Sequence, residues 1–258
     1  MTSLEKKIVL ITGASSGIGR SCAEVFAEAG ANLILLARRN DRLTTLVSEL
    51  TKKYGILTLA DKLDVRYQAS IAQFFENLPV EWRDIDILIN NAGLSRGLDK
   101  LYQGNLRDWE EMIDTNIKGL LYMSRSVIPG MVERKKGMVV NIGSIAGHEV
   151  YPNGNVYCAT KHAVDALTRG MRMDLVDTPV RVCTVDPGLV ETEFSKVRFH
   201  GDDARAKIVY QGMTPLSPDD VADAVLFAAT RPPHVQIAEI IIMPAMQASA
   251  TLVHRKGI

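Results

Sequence analysis

The chain has 258 residues, 47% of them apolar and 23% charged, with 30 Lys plus Arg against 30 Asp plus Glu and so no net charge. That is long enough for one large core and ordinary for a globular protein, and the absence of a basic tract argues against a dedicated nucleic-acid binder. The opening "MTSLEKKIVLITG" has only four consecutive apolar residues, too few for a secretory signal, and no later run approaches the 18 needed to span a membrane.

Taken in chain order, short apolar runs alternate with amphipathic stretches. "KIVLITG" reads as a first strand, and "IGRSCAEVFAEAG" as a helix stopped at Gly30. Between them, "TGASSGIGR" spaces Gly13, Gly17 and Gly19 as G-x-x-x-G-x-G, with Ser15, Ser16 and Ile18 inside and Arg20 just after. Glycines there let backbone approach a ligand closely. The helix N-terminus then offers free N–H groups to a pyrophosphate.

"NLILLA" is the second strand and "RNDRLTTLVSELTKKYG" the next helix, stopped at Gly55. At the end of that strand a carboxylate would bind the 2′-hydroxyl of NAD. This chain instead has Ala37, Arg38 and Arg39. Guanidinium holds a 2′-phosphate in bidentate fashion, and Arg20 could face the same group, so the expected cofactor is NADP. The other reading of Arg38 and Arg39 is a solvated helix start.

"TLADKLDV" and a helix over about 67–78 follow, then the strand "IDILINNAG". A long helix is predicted over about 106–133, the strand "GMVVNIGS" after it, and a second long helix over about 156–177. "RVCTVDPG" is the sixth strand. A less regular region at about 189–215 precedes "SPDDVADAVLFAAT", a helix with Ser217 at its N-cap, and "EIIIMP" closes the series. Continuous apolar strands separated by helices predict a doubly wound α/β fold, a Rossmann-type parallel sheet of about seven strands in one domain over 1–258.

Within the second long helix, "NVYCATKHA" places Tyr157 and Lys161 four apart, on one helix face. Two unit charges about 5 Å apart at an effective dielectric of about 20 interact by about 3 kcal/mol. An ammonium there would lower the phenol by on the order of two pKa units, into reach of acid–base work. Cys22, Cys158 and Cys183 form no close pair and fit reduced, packed thiols in a cytoplasmic protein. The five histidines show no ligand spacing, so no metal is expected.

"TGASSGIG", "NNAG", Asn116 in "DTNIKG", Ser144 in "NIGSIAG", the Tyr157–Lys161 pair and "DPGLVET" occur in order across nearly the whole chain. Together they resemble the short-chain dehydrogenase/reductase family. The resemblance implies a nicotinamide cofactor and a Ser–Tyr–Lys centre supported by an asparagine. Tyr157 would be the proton donor and, as phenolate, the base. Lys161 would bind the nicotinamide ribose, and Ser144 the substrate oxygen. Asn116, by interrupting regular helix, would hold a water leading to Lys161. Asn91, Ala92 and Gly93 would pack over the cofactor and Asp64 and Val65 lie near its adenine. Pro187, Gly188 and Val190 would line the nicotinamide, and Thr192 would bond its carboxamide or a phosphate. Asn116 as a simple helix kink and Ser144 as an ordinary strand-end hydroxyl remain the alternatives.

"GHEVYPNGNVYCATK", "VETEFSKVRFHGD" and "RPPHVQIAEIIIMP" resemble the branch acting on short 3-hydroxy acids such as serine, allo-threonine and 3-hydroxypropionate. A substrate carboxylate then needs a basic partner, with Lys196, Arg198, Arg205 and His148 as candidates. A broad carbonyl reductase, a 3-oxoacyl reductase and a non-catalytic NADP(H) sensor are the alternatives. The two long helices resemble the family's dimer-forming pair, which implies a homotetramer.

Overall fold

The computed structural model describes residues 2–257. Seven strands form one parallel sheet in the order β3-β2-β1-β4-β5-β6-β7. They are β1 Ile8–Thr12, β2 Asn32–Ala37, β3 Thr58–Lys62, β4 Ile85–Asn90, β5 Gly137–Ile142, β6 Val180–Pro187 and β7 Glu239–Ile242. Chain order reverses between β1 and β4, where the crevice of such a sheet opens beyond the strands' carboxyl ends.

Strand alternation supplies both cores. Val9 and Ile11 pack with the helices α1 (Gly17–Glu28), α2 (Asn40–Tyr54) and α9 (Pro218–Ala229). Ile8 and Leu10 point the other way, toward α3 (Gln68–Glu76) and α5 (Leu120–Glu133). β1 is therefore apolar at every position, as a strand covered on both faces must be. β3 is an edge strand and ends in exposed Asp61 and Lys62, charges that discourage further pairing.

The stop signals read from sequence work as expected. Gly55 ends α2 at φ 69° and Gly30 follows α1 at φ 85°, both left-handed. Ser217 and Asp220 form a reciprocal capping box on α9.

Three expectations need adjustment. The helix over 106–133 is α4 (Leu106–Ile113) and α5 joined by a π-helical turn, Asp114–Gly119. The helix over 156–177 is α6, Asn155–Asp174. The region 189–215 carries two short helices, α7 (Phe194–Arg198) and α8 (Asp203–Ile208). No helix among the described residues is long and apolar enough to cross a membrane.

Candidate active site

A cavity of about 1020 Å³ opens beyond the carboxyl ends of the strands. At one end lies the glycine loop. Gly13 has φ +68°, and a Cβ there would stand 2.9 Å from Asn91 Nδ2 and 3.0 Å from the Ala92 Cα, so only glycine fits. Asn91 Nδ2 donates to the carbonyls of Thr12 and Gly13, at 2.9 and 3.2 Å. Backbone N–H groups of Asn91 and Ala92 donate to Thr12 Oγ1. The ends of β1 and β4 are thereby stitched at the switch point.

Gly13, Ser15, Ser16, Gly17 and Ile18 line the cavity. Gly19 does not; it is buried against Asn91 Nδ2 and the Gly13 carbonyl, where a Cβ would overlap both. Arg20 is a correction. Its Nε bonds Glu24 at 3.0 Å and its Nη2 bonds Glu49 at 2.7 Å, tying α1 to α2 outside the cavity. The acid one turn along its own helix is a nearer partner than anything in the cleft.

Arg38 and Arg39 line the cavity at the end of β2. Arg39 reaches Ser16 Oγ at 2.6 Å and Ser15 Oγ at 3.3 Å, so both loop hydroxyls sit under one guanidinium. The same group meets Glu193 at 2.7 Å, and Arg42 meets Glu193 at 2.9 Å. Arg42 carries no sequence signal beyond ordinary helix polarity. Asp64 and Val65 line the adjacent wall, Asp64 held by Arg66. The open N-terminus of α1, a glycine cradle that a Cβ would fill, and two arginines where NAD needs a carboxylate are the donor set for a phosphorylated dinucleotide. Among the described residues, these groups fit NADP.

At the other end Ser144, Tyr157 and Lys161 share the cavity wall, and all three are buried. Ser144 caps the turn after β5, with its Oγ accepting from Ala146 N at 3.1 Å and donating to the Pro187 carbonyl at 3.4 Å. Gly93, Ala92, Pro187, Gly188, Val190 and Thr192 complete this side. Asn116 stands behind it, in the π turn. Its amide donates to Leu94 O at 2.8 Å and Thr160 Oγ1 at 3.0 Å and accepts from Leu94 N at 2.9 Å. In the π turn that interrupts the helix, its side chain staples the segment after β4 to α6.

The electrostatics correct the expectation for Tyr157. Burial pushes its hydroxyl above the ordinary tyrosine value, and Arg198 and the Ser144 hydroxyl oppose that only in part. Lys161 Nζ lies 5.9 Å from the ring centroid and donates to Ile142 O at 2.9 Å. The cation whose field favours the phenolate is Arg198, its Cζ 5.3 Å from the ring centroid. Spacing along one helix could not show a guanidinium arriving from α7, nor the desolvation of the pocket.

Lys161 is itself lowered to about 8 by burial, against a smaller opposing pull from Asp186. Its folded value lies below the ordinary 10.5, so the folded chain binds this proton less tightly than the unfolded chain does. The resulting cost is fully present below about pH 8 and fades as pH rises toward 10.5. Lys161→Met is therefore expected to stabilise the chain at pH 7 by on the order of 2 kcal/mol, after loss of the bond to Ile142. The gain should disappear near pH 10, as urea denaturation at both pH values would record.

Of the four candidate carboxylate partners, Arg198 alone is buried in the cavity, at 9% exposure. Its Nε donates to Ser95 Oγ and its Nη2 to Tyr151 Oη, both at 3.1 Å. It pairs with no acid among the described residues. Arg205 lies exposed on the rim, over Phe199. Lys196 is spent on Asp203, and His148 faces Asp186 and Glu239 outside the cavity. Tyr151 lies in the stretch "GHEVYPNGNVYCATK" that carries the branch resemblance, but its bond to Arg198 was not foreseeable from sequence.

A family model described as short chain dehydrogenase matches residues 7–203. An NADP-dependent 3-hydroxy acid dehydrogenase of Schizosaccharomyces pombe is 48% identical over 257 residues, 99% of each chain. The NADP-dependent 3-hydroxy acid dehydrogenase YdfG of Salmonella typhi is 49% identical over 250 residues, 96% of this chain and 99% of its own. A solved serine dehydrogenase, in closed form with NADP+, superimposes with a TM-score of 0.90 at 47% identity, covering 96% of this chain and all of that one.

Proposed function

Because the chain belongs to the short-chain dehydrogenase family, we propose that it interconverts a short 3-hydroxy acid and its semialdehyde or keto form with NADP. The observation that carries the substrate class is Arg198, a buried guanidinium with no acidic partner, facing the cavity beside Tyr157. A buried cation is costly unless an anion meets it, and a substrate carboxylate supplies one.

NADP, when bound, supplies the hydride acceptor and NADPH the donor. The rest falls to this chain's residues. The glycine loop and the α1 N-terminus hold the pyrophosphate, and Arg38 and Arg39 the 2′-phosphate. Asp64 and Val65 flank the adenine. Lys161 and Tyr157 hold the nicotinamide ribose, with Pro187, Gly188, Val190 and Thr192 beside the ring. Ser144 donates to the substrate oxygen, where negative charge develops. Tyr157 Oη gives its proton to that oxygen in reduction and takes it back in oxidation. Asn116 positions α6 through Thr160.

The chain works as one dinucleotide-binding and catalytic domain, with about 189–215 as the substrate loop. We place it in the cytoplasm as a homotetramer built on α4, α5 and α6. That reading is supported by exposed apolar side chains on these helices, including Ile113, Leu121 and Met173.

The test is turnover with NADP across a panel of short hydroxy acids. Turnover of bulky ketones with none of any hydroxy acid would overturn the substrate assignment. For the cofactor, Arg39→Ala is expected to weaken NADP about 10- to 100-fold while leaving NAD nearly unchanged, since a charge-assisted bond is worth about 1.5–3 kcal/mol. Fluorescence titration of both dinucleotides measures it, and an equal loss for the two would remove Arg39 from the phosphate site.

A further inference from the structure

His148, Asp186 and Glu239 converge outside the catalytic cavity, on the side of β6 and β7. His148 follows the turn after β5, Asp186 lies near the end of β6, and Glu239 opens β7 in register with Thr184. Thr184 and Asp186 share a sheet face because they are two residues apart, and pairing puts Glu239 on it too. Gly143 keeps that face clear, since a Cβ there would overlap Asp186 Oδ1.

We propose that these three side chains form a binding site for a first-row divalent cation of the zinc type, held by His148 Nε2, Asp186 Oδ2 and Glu239 Oε1. The three ligand atoms lie within 4.8 Å of one another. Nε2 is 3.2 Å from Oδ2 and 3.7 Å from Oε1. Ligands at zinc bond lengths of 2.0–2.1 Å around a tetrahedron stand about 3.3 Å apart, so the observed spacing already approximates three corners.

A second observation is independent of proximity. Asp186 is 2% exposed, and among the described residues neither its Oδ2 nor His148 Nε2 has a hydrogen-bond partner. The two atoms are close, yet the contact between them does not meet hydrogen-bond geometry. Buried polar atoms normally find partners, and these two face the same point.

The surrounding groups orient the carboxylates. Thr184 Oγ1 donates to Asp186 Oδ1 at 2.8 Å, leaving Oδ2 free. Arg169 Nη2 lies 3.6 Å from Glu239 Oε2, leaving Oε1 free, and Arg169 is braced by Asp165 at 2.9 Å. Metal sites commonly have their ligands held by such outer partners. One imidazole and two carboxylates, without thiolate, suit zinc, cobalt or manganese, and are too few oxygens for calcium. The side chains of His148 and Glu239 are 18% and 28% exposed, so the group lies toward the β7 edge and not in the core. The bound ion would clamp the β7 edge to β6 behind Pro187 and Gly188, a structural role.

A tag-free chain stripped with chelator should take up one Zn2+ per chain by calorimetry. Co2+ in its place should give the visible absorption of a low-coordinate site. The thermal midpoint should rise by on the order of 5 °C at saturating Zn2+. His148→Ala and Glu239→Gln, both partly exposed, should fold with the midpoint of the stripped wild type. Each should weaken the ion at least about tenfold and lose the midpoint rise. No uptake at millimolar Zn2+, or equal uptake by wild type and both variants, overturns the site. A direct contact of His148 with Asp186, with no ion between them, is the competing arrangement, and it produces that first result.

Discussion

Tyr157→Phe is expected to lose about 10²- to 10⁴-fold in kcat while cofactor affinity falls by no more than about tenfold, the worth of one ribose hydrogen bond. The substitution removes one oxygen and keeps the ring. That ring packs edge-on against Phe194, with centroids 5.6 Å apart, in a cluster with Leu94, Met112, Ala146 and Cys158. The fold therefore has no reason to change, and the loss reports the proton. Single-turnover rates beside dinucleotide titrations separate the two quantities; a variant keeping more than a tenth of wild-type kcat would take the proton transfer away from Tyr157.

The pH dependence carries the sign of the burial effect. Burial raises the Tyr157 hydroxyl, so the protonated form dominates at neutral pH. Reduction, which needs the acid, should proceed there directly. Oxidation, which needs the phenolate, should gain rate as pH rises above neutrality. Removing the Arg198 guanidinium should move that oxidation limb to still higher pH, because its field favours the phenolate.

Arg198→Ala, assayed at its own optimum pH, is expected to lower kcat/KM for a 3-hydroxy acid about 30- to 5000-fold. That corresponds to the 2–5 kcal/mol lost when one member of a buried hydrogen-bonded charge pair is truncated. For an uncharged alcohol of similar size the change should be several-fold at most. The comparison matters because Arg198 also braces Ser95 and Tyr151. If its role were only to hold α7 in place, both substrates would suffer equally. Arg198→Lys should recover part of the acid-specific loss, since it restores charge without the planar fork.

Much of this was legible along the chain. The alternation of apolar strands with amphipathic helices, the stops at Gly30 and Gly55 and the cap at Ser217 are local consequences of backbone preference. The parallel sheet, the glycine loop between β1 and α1, and the arginines ending β2 follow from them. Tyr157 and Lys161 belong to one helix, so their shared wall was already implied by spacing.

What depended on residues far apart in sequence was hidden. Arg20 and Arg39 look equally available beside a phosphate loop, yet Glu24 and Glu49 claim the first, while the second lines the cleft. Four basic residues were equal candidates for a carboxylate until packing buried Arg198 and left the others elsewhere. Histidine spacing signalled no metal, but the grouping at His148 draws its members from the turn after β5 and from β6 and β7. By itself the sequence determined the strands, most of the helices, their order and the residue types that line the cleft, because hydrogen-bonding period and side-chain type act locally. Only the tertiary structure decided which charges are desolvated and which neighbours they meet, and so that burial, more than the lysine one turn away, sets the state of Tyr157.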